Sequence, residues 1–215
     1  MTADIFDFIK TPSKELFLKS QQYVINHEVY DPYTSELDEL MDLMDAKDFQ
    51  KVVDFKSINT LLSPSAHLIK HHAAKQMNDD LNAKSEWILF NKVLENLLLT
   101  GDGSKEQPYL ITQISDERDI IQSMEDEVAN QRLIKSEGKS YDLIKTKSGK
   151  EIYFDITLCM QALAAKFAVI EDEVEEEGEV EKEHEILEEP QRIEKETPVN
   201  SSPQEEPEKK WWKFW

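Results

Sequence analysis

From Glu171 to the last residue the chain contains 17 acids and 6 bases, four prolines (Pro190, Pro198, Pro203, Pro207) and no aromatic side chain until Trp211. A stretch of that composition cannot bury enough apolar surface to offset the entropy of ordering it. It confines any folded core to the first 170 residues. Within those limits the sequence reads as four parts: a helical region over 1–100, a small α+β region over 101–170 packed on it as one domain, a disordered acidic linker over 171–208, and a terminal segment over 209–215.

The terminal segment is the most informative for function. Lys209, Lys210, Trp211, Trp212, Lys213, Phe214 and Trp215 include three of the four tryptophans in the chain. Each such ring carries roughly 150–250 Å² of surface to bury, and the acidic stretch before it offers nothing to bury it against. The segment therefore reads as a docking peptide for a surface outside its own domain. A pocket on a partner protein suits it, with aromatic anchors inside and lysines at the rim. The headgroup level of a membrane also suits Trp, Phe and Lys. Glu205, Glu206 and Glu208 lie close enough to repel anionic lipid, which favours the protein pocket and leaves only peripheral membrane contact.

Charge narrows the partners further. The total is −20, of which the last 45 residues supply −11, so residues 1–170 still carry −9. Nucleic acid is excluded as an expected partner, because its phosphates demand Lys and Arg. A basic protein is the natural one, since opposite fields steer encounter. One cysteine, Cys159, excludes an internal disulfide framework, and its place between Leu158 and Met160 reads as an inert buried thiol. The residues Met1–Lys10 lack the basic and long apolar regions of a secretory leader, and no apolar run reaches the roughly 18 residues of a membrane span. The expected location is cytoplasmic.

The first hundred residues carry helical periodicity with repeated start signals. Thr11-Pro12 and Ser63-Pro64 each place a capping side chain before proline. The first opens a helix reaching about His27, and Ser35 opens another with Leu37, Leu40, Met41 and Met44 as its stripe. Phe49, Val52, Val53 and Phe55 begin a partner helix. Ala83–Thr100 is apolar nearly all round, which predicts a buried helix. Two such pairs predict antiparallel helical hairpins, a degenerate tetratricopeptide-like arrangement.

Gly101-Asp102-Gly103-Ser104 then changes the pattern. Strands are predicted at 108–113, 131–136, 140–147 and 151–157, with Gly138 and Ser148-Gly149 as hairpin turns. Short helices are predicted from Ser115 and over 158–167. The fold class is α+β: helical hairpins, then a small antiparallel sheet with two short helices, then the acidic tail.

Three groups of polar residues are candidates for chemistry. His67 and His71 stand one helical turn apart, but Leu68 occupies the position where a zinc protease needs Glu; they read as packing and surface histidines. Gly101–Ser104 follows a helix instead of a strand, so it reads as a turn and not a phosphate cradle. Asp116, Glu117 and Asp119 read as acids favoured at a helix N-terminus. No catalytic, cofactor-binding or metal residue is expected.

Several short runs together resemble an uncharacterised bacterial family, domain of unknown function 4919. They are Ser63-Pro64-Ser65-Ala66-His67, Leu99-Thr100-Gly101-Asp102-Gly103-Ser104 with Pro108-Tyr109, Ile114-Ser115-Asp116-Glu117-Arg118, Tyr141-Asp142-Leu143-Ile144 and Tyr153-Phe154-Asp155-Ile156. The resemblance covers about residues 30–160 and implies a helices-then-sheet layout without an activity. The function expected from all this is a non-enzymatic interaction protein, an adaptor in an unknown pathway. The alternative is an immunity or inhibitor protein whose acidic body caps a basic toxin or nuclease. The oligomeric state is open.

Overall fold

Helix α5 (Pro64–Gln76) begins where its sequence says it should. The Ser63 side chain accepts a hydrogen bond from the Ala66 amide, and Pro64 fills the first turn, where no amide partner is needed. The computed structural model describes residues 6–166. The acidic linker 171–208 and the proposed docking peptide, Lys209 to Trp215, lie outside the described residues.

Ahead of α5 stand α1 (Asp7–Lys10), α2 (Lys14–Ile25), α3 (Glu36–Asp45) and α4 (Phe49–Asp54). The start of α2 departs from expectation. Ser13, not Thr11, is the cap, and its side chain accepts from the Leu16 amide. The cause is distant in sequence: Asn96 Oδ1 accepts the Ser13 amide at 2.8 Å and holds Ser13 in extended geometry outside the helix. The short α1 buries Phe8 completely, edge-on to Phe17 with ring centroids 5.2 Å apart. Helix α4 stops after six residues. Phe55 turns extended there, and the largely buried Lys70 donates to its carbonyl at 2.6 Å.

Helix α6 (Asp80–Leu98) packs along α5, where Ala73, Ala74 and Ala83 are fully buried and let the backbones approach. The expectation that this helix is buried all round is wrong. Ala83, Phe90, Val93, Asn96 and Leu97 face inward, while Leu81 (77% exposed), Trp87 (43%) and Ile88 (42%) face outward.

The chain then forms β1 (Tyr109–Leu110), α7 (Ser115–Ser123), β2 (Val128–Ser136), β3 (Lys139–Thr146) and β4 (Glu151–Asp155), and residues 157–166 form α8. Strand order is β1-β4-β3-β2. The sheet is mixed, not antiparallel as expected: β2–β3 and β3–β4 are antiparallel, but Tyr109 and Leu110 run parallel to Phe154 and Asp155. It follows that β1 and β2 are parallel and that α7 is the crossover between them, which parallel strands require. The first expected strand shrinks to two residues because the Thr112 and Gln113 amides leave the sheet for the Asp116 carboxylate.

One apolar cluster joins the two halves of the body. Phe8, Phe17, Val24, Val93 and Leu97 from the helices meet Ile120 and Ile121 of α7 and Ile144, Ile152, Phe154 and Ile156 of the sheet. A second cluster, built on Leu40, Val52, Ala66 and Ala73, ties α3 and α4 to α5. The body is an α+β fold.

Candidate functional site

The chemically unusual region is the N-terminal half of α7, where acids expected on a solvated helix end are buried instead. Asp116 is fully buried, Glu117 is 4% exposed and Asp119 is 7% exposed. Each has a different employment. Asp116 Oδ2 accepts the Thr112 amide at 2.8 Å and the Gln113 amide at 3.0 Å, so the carboxylate closes the turn before its own helix. Asp119 reaches across to α5, accepting the Ser65 amide at 3.2 Å and the Ser65 hydroxyl. It thus serves as a second cap for a helix whose Ser65 lies 54 residues earlier, satisfying an amide that the helix itself leaves unpaired.

Glu117 faces the sheet. Gln131 of β2 donates through Nε2 to Glu117 Oε2 at 3.2 Å and to Asp142 Oδ2 of β3 at 2.7 Å. Two carboxyl groups therefore share one amide, and neither forms an ion pair among the described residues. Asp116 Oδ1 and Glu117 Oε1 are buried without a hydrogen-bond partner. Burial pushes the Glu117 carboxyl up to about 9, helped by the charge of Asp142 and a hydrogen bond to it. Asp116 rises to about 7 by burial, against its two backbone amides. Burial also raises Asp119 to about 6, with the Ser65 bonds pulling the other way. A Glu117 carboxyl raised this far keeps its proton at neutral pH.

Near these acids the Thr112 carbonyl gathers residues from two distant parts of the chain. It accepts the Tyr30 hydroxyl and, at 3.7 Å, the Cys159 thiol of α8. Burial, with the nearby Cys159, drives the Tyr30 phenol well above its usual range. Burial likewise pushes the Cys159 thiol up to about 12, opposed by its contact with Tyr30 and assisted by Asp116 and Glu117. A thiol so held is not a nucleophile at neutral pH. Tyr33, half exposed, roofs the region: its phenol is raised by partial burial and by Cys159, Asp142 and Glu117. The arrangement can store protons and fix three elements to one another.

The other weighed residues lie elsewhere. His67 Nδ1 is 2.7 Å from Glu86 Oε2 and Nε2 is 3.1 Å from the Leu61 carbonyl, so both ring nitrogens face acceptors. His71 Nδ1 donates to the Ala83 carbonyl at 2.7 Å. No group of three side chains able to hold a metal occurs among the described residues. Gly101–Ser104 is the turn from α6 to β1: Asp102 Oδ1 accepts the Ser104 amide, and the Asp102 and Gly103 amides both donate to Gln107 O.

The sequence reading missed Asp142 and Gln131. Their signal is register. Asp142 lies two residues from Ile144 on one strand, so an acid shares the face of a core isoleucine, and Gln131 pairs across from Ile144.

No known relative informs the site: no family model, no curated protein and no solved structure matches the chain. No helix among the described residues is long and apolar enough to cross a membrane.

Proposed function

We propose that the chain is a non-enzymatic interaction protein whose α+β body holds one partner while Lys209, Lys210, Trp211, Trp212, Lys213, Phe214 and Trp215 dock on a second protein or a membrane edge. The observation that carries this reading is the outward face of α6. Leu81, Trp87 and Ile88 are exposed on a helix whose opposite face is core, and His72, His71, Trp87 and the buried Phe90 form a chain of rings 5.1–5.3 Å apart. Neighbouring large apolar side chains at a surface mark a binding face more often than isolated ones do. The non-enzymatic part is supported by the polar groups at α7, whose amide and hydroxyl bonds go to turns and helix ends. Within the same proposal, the paired helices are a degenerate tetratricopeptide-like scaffold, residues 171–208 are a disordered charged linker, and the location is cytoplasmic.

Deletion of 209–215 tests it. Of the two interactions, the one made by the C-terminal peptide should be lost from native-cell captures while the thermal midpoint of the protein stays within about 1 °C. A drop of several degrees would place the aromatic residues in the core and overturn the reading.

The inhibitor reading has one observation of its own: α3 exposes Asp38, Glu39, Asp42 and Asp45 in a segment, residues 28–48, with eight acids and one Lys. It requires a 1:1 complex with a basic protein that weakens steeply with salt.

A further inference from the structure

Strand β2 is the outer strand of the sheet, paired with β3 on one side and with no strand on the other among the described residues. It is the longest strand, nine residues, and every residue from Val128 to Arg132 is exposed, as is Leu133 at 49%. Such an edge presents a row of unpaired amides and carbonyls, a template for a further strand. It is also held firmly in place. Gln131 ties its middle to Glu117 and Asp142, and near its start the Lys147 amide donates to Glu127 O at 2.8 Å. A fixed template loses little entropy on pairing.

Its charge states what fits. Residues 128–136 contain Arg132, Lys135 and no acid, although the body as a whole is acidic. Neither base forms an ion pair among the described residues. Arg132 sits across from Leu143 and Lys135 across from Ser140, three positions apart, so they project from opposite faces of the sheet. Between them lie Leu133 and Ile134, one on each face. An added strand meets these four residues in turn, and direct cross-strand pairs prefer opposite charge or apolar with apolar.

We infer that the free edge of β2 receives an extended acidic peptide as a fifth strand, with the order acid–apolar–apolar–acid set against Lys135, Ile134, Leu133 and Arg132. A second copy of β2 is a poor occupant. It brings the same two bases and no acid, so it cannot satisfy either charge. This is the β-strand addition mode of peptide recognition, in which the main chain supplies affinity and alternate side chains supply selection.

The test is fluorescence anisotropy of the full chain with a labelled synthetic octapeptide, Thr-Thr-Glu-Ile-Leu-Glu-Thr-Thr. Saturable binding is expected, with amide hydrogen exchange slowed across 128–136. Arg132→Glu/Lys135→Glu should weaken the acidic peptide about tenfold, the sum of two cross-strand pairs of about 0.7 kcal/mol each. It should also create binding to the Lys-Ile-Leu-Lys version. Both substitutions are on exposed side chains and are expected to leave folding intact, checked by circular dichroism. Residues Glu185-Ile186-Leu187-Glu188 carry the same order. The titration is therefore repeated in Ile186→Ser/Leu187→Ser, where binding should be equal or tighter. Binding indifferent to the charge reversal, slowed exchange elsewhere, loss of binding in the serine variant, or concentration-dependent dimers in place of peptide binding would each overturn the inference.

Discussion

Replacing Glu117 by Gln should make the protein more stable at pH 8 and change it little at pH 5. Glu117 sits 4% exposed beside Asp142 and binds its proton up to about pH 9 in the folded chain, against 4.5 as the ordinary value. Between those limits the folded state holds one proton that the unfolded state has released. Stability therefore falls as pH rises through the window, by about 1.4 kcal/mol per pH unit for this single group. From pH 6 to pH 8 the loss is about 3 kcal/mol, a large part of a typical folding free energy of roughly 5–15 kcal/mol. Gln keeps the shape and still accepts from Gln131, but it has no proton to lose. Asp116 and Asp119 contribute the same sign of slope below about pH 7 and remain in the variant, so the difference between the two proteins isolates Glu117. Urea unfolding of both proteins at pH 5, 6, 7 and 8 gives the comparison. Parallel stability curves, or a variant weakened equally at every pH, would refute the placement of a protonated acid at this position.

Two further perturbations follow from the geometry. Asp119→Ala removes the acceptor for the Ser65 amide and hydroxyl at the start of α5 and should cost about 1–3 kcal/mol by urea unfolding, at pH 7 or above; an unchanged midpoint would deny that tertiary cap. Gly101→Ala would place a methyl carbon 2.3 Å from the Pro108 carbonyl oxygen, a backbone atom that cannot swing aside, and should lower stability by about 3 kcal/mol or abolish folding, checked by circular dichroism and thermal melting.

What could be read from the sequence was what is decided locally. Ser63-Pro64 opens α5 because a cap and a proline act within one turn. Gly138 and Gly149 mark the two hairpin turns, and both adopt the positive φ those turns need. Thr11-Pro12 misled because the competitor, Asn96, is 83 residues away and claims the Ser13 amide. The parallel pairing of β1 was invisible for the same reason, since its partner β4 lies more than 40 residues on. Trp87 and Ile88 misled in another way: a run of apolar residues fixes a helix, but only the packing decides which of them find cover. The acids of α7 were correctly placed on a helix start. Their burial follows from Ser65 on α5 and Asp142 and Gln131 in the sheet, none of which a reading of residues 115–119 contains.

The parallel joining of β1 to β4 also governs when the molecule can be finished. During synthesis Tyr109 emerges well before Phe154, and the ring pair they form, 5.9 Å between centroids, waits on the final strand. Until then Tyr109 lacks its ring partner and the β1 backbone its paired strand. Closing so distant a contact is entropically slow, which makes the interval before residue 155 leaves the ribosome the period of greatest exposure to misassembly.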